Sequence, residues 1–216
     1  MYAVTRESAQ AAREAENRTN FVNEKGKYVG QFTKAERIVA STGTEGIGFS
    51  FKGHDGVLSN FSLYTRKKDG ELLRDYGIVV SIMTVLGIRE IQPKRSKIQE
   101  YDKEAGGVVE RDGEQFVDLL NKDIGCLFIM EEYERDGGGT GWGARLNAVF
   151  RSSDELVASE ILDRKTRPEK LPYLIESLRD RPLKKRTNGH SRPAGSRGAE
   201  DDYYGGHGGA PDDIPF

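Results

Sequence analysis

Between Tyr28 and Arg66 apolar and polar side chains trade places at the short period of extended chain with one wet face. Tyr28 to Ala40 reads as one long strand, with Val29, Phe32, Ile38 and Val39 spread along it, and the polar run STGTEG follows as a turn. In residues 46–52 the alternation is strict: Ile47, Phe49 and Phe51 take one side, Gly48, Ser50 and Lys52 the other. The turn Gly53-His54-Asp55-Gly56 leads to a third strand, Leu58–Arg66, which sets Phe61 and Leu63 opposite Asn60, Ser62, Tyr64 and Arg66. Lys67-Lys68-Asp69-Gly70 closes it with a second Asp-Gly turn.

The period then lengthens. Ile78, Val79, Ile82, Met83, Val85 and Leu86 fall at helical spacing in residues 75–87, and Gly87 fits a C-terminal stop, although IVVSIMTV also suits a buried strand. QPKRSKIQEYDKEAGG reads as a polar linker and FVDLLNK as a short helical turn. A fourth strand, Ile124–Arg135, the loop DGGGTG and a fifth strand, Trp142–Arg151, follow. Residues 153–181 read as helix from Ser153-Asp154-Glu155, broken into two pieces by Pro168 and Pro172. Residues 5–16 are good helix formers with a thin apolar stripe, a solvated helix or frayed arm.

Three strands, a helix and two strands is the element order of the oligonucleotide-binding (OB) fold, a five-stranded Greek-key barrel, although small mixed α/β domains share it. The expected architecture is therefore mainly β with helices: an OB barrel with a helix between strands 3 and 4, C-terminal helices and a disordered tail. The expected divisions are a helical or flexible arm (1–25), the OB domain (26–182), and a linker with an acidic tail (183–216).

Composition changes this picture in the tail. Hydrophobic residues make up only 36% of the chain and glycine numbers 26, so part of it is not expected to pack. The net charge of −2 argues against a uniformly basic nucleic-acid binder until charge is divided by region. Residues 184–197 carry five bases (Lys184, Lys185, Arg186, Arg192, Arg197) and no acid, whereas 200–216 carry five acids and no base. The two cancel, so a nucleic-acid surface on the body would need asymmetric placement of charge. Cys126, the single cysteine, lies in the apolar run CLFIM and reads as a buried, inert thiol. The polar N-terminus and the lack of a long apolar run suggest a cytoplasmic protein without a membrane partner.

The chain ends in Asp212-Asp213-Ile214-Pro215-Phe216 beyond a glycine-rich spacer. Ile214 and the terminal ring suit an apolar pocket, the carboxylates suit Arg or Lys at its rim, and Pro215 limits the backbone freedom lost on docking. This tip resembles that of bacterial single-stranded-DNA-binding (SSB) proteins. The segments GKYVGQFTKAE, GIGFSFK, FSLYTR and EILDRKTRPEKLP are similar in general pattern to phage- or prophage-encoded single-stranded-DNA-binding proteins, without a short diagnostic motif. The resemblance implies sequence-nonspecific protection of single-stranded DNA in replication, recombination or repair, in a bacterial host cell if phage-encoded. It also implies no catalysis, and recruitment of replication and recombination proteins by the tip. The body lacks the N-terminal strand sequence of the housekeeping family, which leaves a homo-oligomer open but puts that family's tetramer and wrapping mode in doubt.

OB barrels bind single strands on the face of strands 2 and 3, with bases on aromatic rings and phosphates along a basic groove. Phe49, Phe51 and Phe61 share the phase of Ile47 and Leu63 and read as core. Tyr64, in the opposite phase beside Arg66, Lys67 and Lys68, is the leading stacking candidate, against an ordinary surface tyrosine. Lys52 has the corresponding outward phase, and Lys34 and Arg37 could contact phosphate, though only a bulge would turn both into one groove. At the DGGGTG loop, Trp142 reads as a stacking ring, a core residue or a loop anchor, and Tyr133 and Arg135 share a phase at its entrance. Lys184-Lys185-Arg186 could contact phosphate, attract the acidic tail, or be plain solvated linker.

Enzyme signatures fail. His54, His190 and His207 are scattered, one cysteine cannot build a zinc knuckle, and neither GTEGIG nor DGGGTGWG contains a GK[ST] element. No catalytic residue, metal or cofactor is expected. The rival readings are a strand-annealing or nuclease-accessory recombination protein, and an adaptor that uses the tip without binding DNA.

Overall fold

The computed structural model describes Thr5 and residues 20–102, 107–135 and 137–183. Its elements are β1 (Gly26–Val39), β2 (Glu45–Gly53), β3 (Leu58–Arg66), α1 (Arg74–Val85), β4 (Lys94–Asp102), β5 (Gly107–Gln115), a 3-10 turn (Val117–Leu119), β6 (Asp123–Glu134), β7 (Thr140–Arg151), α2 (Ala158–Leu162) and α3 (Lys170–Glu176). Of the expected N-terminal arm (1–25) only Thr5 and residues 20–25 are described, and the basic stretch from Lys184 and the Asp212–Phe216 tip lie outside the described residues.

β1 organises the sheet. Gly30–Val39 pairs antiparallel with β2, while Gly26–Gln31 pairs antiparallel with β6 on its other edge. Further along that second edge Glu36 meets Gln115 of β5. The result is one seven-stranded sheet, in which β3-β2-β1-β5-β4 form one path and β6 and β7 branch from β1. Asn20–Val22 joins the body by backbone hydrogen bonds to Leu58, and Val22 is buried.

Two expectations need correction. The sheet is not closed into a five-stranded barrel, because no pairing joins β3 to β7; α1 packs across both strands at that seam. The supposed polar linker after α1 is a two-stranded hairpin, β4–β5, paired from Lys94↔Gln115 to Asp102↔Gly107. Its sequence hides it because Ile98 is the only fully buried apolar side chain among the hairpin's described residues. Ion pairs hold it instead: Arg111 grips Glu36 of β1 through two hydrogen bonds of 2.7 Å and Glu100 through a third of 2.7 Å.

The alternation of β1–β3 buries Phe32, Phe49 and Phe51 on the inner face, where they meet Phe128 of β6. Ring centroids lie 4.8 Å apart for Phe32–Phe49, 5.3 Å for the stacked Phe49–Phe61 and 5.5 Å for Phe51–Phe128. Each such ring contributes roughly 1.5–3 kcal/mol by burial. The β-branched run of α1 is helical, not extended. Val79, Ile82 and Val85 form its buried stripe, Ser81 and Thr84 donate to carbonyls one turn back, and Gly87 ends it at φ 66°. Cys126 is fully buried, and that burial pushes its thiol pKa far up, so it is inert.

A second apolar cluster forms on the outer face of β6–β7. Leu127, Ile129 and Phe150 are covered there by Val157, Leu171 and Leu178. The residues after β7 are less helical than expected: Ser152–Asp154 form a turn in which Asp154 accepts three bonds from Arg151 and one from the Leu156 N–H. The helices are two short pieces joined by Glu160. Its buried carboxylate accepts the backbone N–H groups of Val157, Glu169 and Lys170 at 3.1, 2.7 and 2.9 Å. Burial pushes this carboxyl pKa up, but the three N–H bonds and Lys165 outweigh it and hold it below the ordinary value. The described chain leaves along β6, where Arg181 bonds the backbone of Met130 and Glu132.

Candidate nucleic-acid interface

Among the described residues nothing roofs the outer face of β1–β3 as the chain beyond β7 covers β6–β7. Cross-strand partners on it are Lys34, Ser50 and Asn60 in one row, Glu36, Gly48 and Ser62 in the next, and Ile38, Gly46 and Tyr64 in a third. Lys52 sits beyond the first row, beside Gln31 and Leu58. Tyr64 is 38% exposed, and its ring lies over Gly46: a Cβ added there would stand 3.1 Å from Tyr64 Cδ1 and 2.5 Å from the Leu63 carbonyl oxygen. A glycine opposite an aromatic leaves room for the side chain to approach the backbone closely, and part of Tyr64 remains open to solvent. A base could stack on that open side.

The β6–β7 hairpin repeats the device. Tyr133 is opposite Gly141, and a Cβ on Gly141 would meet Tyr133 Cζ at 2.9 Å and Arg135 Nε at 2.8 Å. Tyr133, 49% exposed, and Arg135 therefore share one side of the hairpin, as their spacing implies. Trp142, 48% exposed, is opposite Glu132 and so projects from the other side. Trp142 and Tyr133 cannot line one groove.

Bulges redistribute the basic residues. The β1 bulge falls at Thr33, before both Lys34 and Arg37, so these two remain on opposite faces. A second bulge sets Tyr64 opposite Gly46 but Arg66 opposite Glu45, with Thr65 as the extra residue. Sequence alternation puts Arg66 on the Tyr64 face. The bulge turns it instead toward α1, into a cleft of about 570 Å³ lined by Arg37, Ile47, Tyr76, Val79 and Val80. Arg37 is held by Glu114 and Glu45 at 3.0 and 2.9 Å, and these bonds raise its pKa. Lys67 bonds Glu71 at 2.6 Å, while the stem of Lys68 rests on Gly43 of the β1–β2 turn.

One contributor is invisible in the sequence reading. The β4–β5 hairpin and the outer face of β1–β2 bound a groove of about 390 Å³, lined by Thr33, Lys34, Ser50, Lys97, Gln99 and Gln115. Lys97 thus joins Lys34 in one groove. Lys34 stands 3.9 Å from Glu36, and Lys97 3.2 Å from Asp112 and 3.7 Å from Glu110. The Lys97 pairs are exposed, and such pairs are worth about 0–1 kcal/mol, so a phosphate could displace them; Lys34 and Glu36 are part-buried. The alternation of KRSKIQ is the signal that could have found Lys97, had the segment been read as a strand.

No protein-family model matches the chain, and no curated protein matches it. Among the described residues no helix is long and apolar enough to cross a membrane, and no cluster of three His, Cys, Asp or Glu could hold a metal ion.

Proposed function

We propose that the protein binds single-stranded DNA without sequence specificity and without catalysis, on the outer face of β1–β3, and that the Asp212–Phe216 tip recruits proteins of replication and recombination. The observation that carries the reading is the half-exposed Tyr64, opposite Gly46 on a polar sheet face that no described element roofs and that also holds Lys34 and Lys52. Such a surface offers a stacking ring at a cost of little side-chain freedom, and cations for a phosphate backbone. The strand order supports an OB-related architecture: β1 lies between β2 and β6, α1 follows β3, and β6–β7 stand where the fourth and fifth barrel strands belong. The β4–β5 hairpin is then an insertion before the fourth. The tip belongs to this reading through its chemistry alone: apolar anchors beside carboxylates.

Fluorescence anisotropy of a labelled oligo-dT and an equal-length duplex, at two salt concentrations, tests it. The expected result is tight binding to the single strand, weaker to the duplex and weaker again at high salt. No binding to the single strand at low salt would overturn it and leave the tip as the functional element.

A further inference from the structure

A cleft of about 360 Å³ opens where α1, β7 and the two roof helices meet, and none of its lining residues belongs to β1–β3. Ile78, Val149, Val157 and Leu174 form its apolar floor, with Val149 and Val157 buried. Arg74 and Lys170 stand in the lining with Ser81, Asn147 and Ser159, and no carboxylate is among them. The acids nearest in sequence are engaged elsewhere: Asp75 with Arg145 at 3.6 Å, Glu169 with Lys165, and Glu160 with its three backbone N–H groups. Lys170 Nζ donates to Ser159 Oγ at 2.7 Å, whereas the Arg74 side chain has no hydrogen-bond or ion-pair partner among the described residues.

Gly77 is a second, independent sign. It lies inside α1, where glycine costs about 1 kcal/mol against alanine. Its φ is not positive, and an added Cβ would meet nothing within 4 Å apart from its own stretch of helix. Neither the backbone nor the packing therefore calls for glycine. It lines the cleft, so a side chain there would crowd the space that glycine leaves open.

We infer that this cleft docks a peptide segment of a partner protein, in which a carboxylate stands beside one large aliphatic or aromatic side chain. The apolar floor takes the side chain, and Arg74 and Lys170 take the carboxylate by charge-assisted hydrogen bonds. Asn147 and Ser159 remain for the peptide backbone. A free phosphate would leave the floor uncovered, and no aromatic ring in the lining offers a platform for a base. The cleft shares no residue with the proposed DNA face or with the Asp212–Phe216 tip, so it adds a recruiting site that stands whether or not the chain binds DNA.

Amide chemical shifts of the nitrogen-15-labelled full chain, titrated with acetyl-Asp-Leu-Phe-amide, test it. Saturable shifts are expected at Gly77, Ala158 and Lys170. Acetyl-Asn-Leu-Phe-amide, which lacks the charge, is expected to bind about fivefold more weakly, and Arg74→Gln to remove most of that preference. Gly77→Leu should lose the peptide while its melting midpoint stays at or above that of the wild type, because leucine is the better helix former. No saturable shift at these positions, equal binding of the two peptides by the wild type, or full binding by Gly77→Leu would each overturn the inference. Tighter binding by a full-length Ile214→Ala, Phe216→Ala double variant would also overturn it, because the chain's own tip would then be the occupant. Shifts at the same amides with oligo-dT in place of the peptide would overturn it in favour of nucleic acid. Failure of oligo-dT to bind anywhere bears on the DNA reading alone.

Discussion

The outer face of the sheet has two halves that use the same strand phase for opposite ends. On β6–β7 that phase carries Leu127, Ile129 and Phe150, and the chain beyond β7 folds back to roof them. On β1–β3 it carries Lys34, Ser50, Lys52, Asn60, Ser62 and Tyr64, and nothing of the described chain roofs them as α2 and α3 roof the other half. Burial drives the first half to completion within the molecule. The second keeps an aromatic ring in water, which costs little only while it lies against a glycine. The contrast separates stability from binding by location: outward substitutions on β6–β7 should act on the fold, and those on β1–β3 on the ligand.

The largest effect that would expose this division is Phe150→Ala. The ring is fully buried, and its loss should cost about 3–5 kcal/mol in denaturant unfolding. Per folded molecule, affinity for single strands should stay near wild type. A variant that kept its stability would mean that the roof is not a second core.

Glu160→Gln comes next. It removes the charge from an acceptor of three backbone N–H groups and should cost about 1–3 kcal/mol near neutral pH. Because the folded-state pKa of Glu160 is held below its ordinary value, the stabilisation is complete above the unfolded pKa and is lost as pH falls through the folded one. The variant should therefore show a flatter loss of stability toward acid. Equal acid sensitivity in the two proteins would argue against the N–H cage.

On the open half, Tyr64→Ala should leave the unfolding midpoint within about 0.5 kcal/mol. Affinity for oligo-dT should fall by the roughly 1–3 kcal/mol of one stacked base. Anisotropy read beside a melting curve checks both. A fall in stability matching Phe150→Ala would erase the difference between the halves. The smallest expected effect is in Lys34→Ala and Lys97→Ala: each should lower the slope of log affinity against log salt by about 0.7, one phosphate contact on a single strand. An unchanged slope for Lys97→Ala would exclude the hairpin from the DNA path.

Where burial sets the pattern, the sequence was a good guide. Strict alternation placed β2 and β3 within a residue or so, and the phase that buries Phe49, Phe51 and Leu63 also turned Tyr64 outward. The helix at α1 was legible because Val79, Ile82 and Val85 recur at its period and Gly87 stops it. The β4–β5 hairpin was not legible, since Arg111, Glu36 and Glu100 hold it from different strands and a local pattern of charges says nothing about such partners. Bulges were equally hidden. A single extra residue at Thr65 moved Arg66 off the Tyr64 face, and the opposite facings of Tyr133 and Trp142 follow only from register.

β1 reaches two neighbours whose places in the chain are far apart. Its partner β2 follows at once, but β6, which pairs Gly26–Gln31, begins only at Asp123. As the chain leaves the ribosome, the β1–β2–β3 meander can assemble while the other margin of β1 has no mate. That interval is when the nascent protein is most open to pairing with the wrong strand. Because Gly30 and Gln31 belong to both ladders, completing the second locks the first, and the two halves should thereafter melt together.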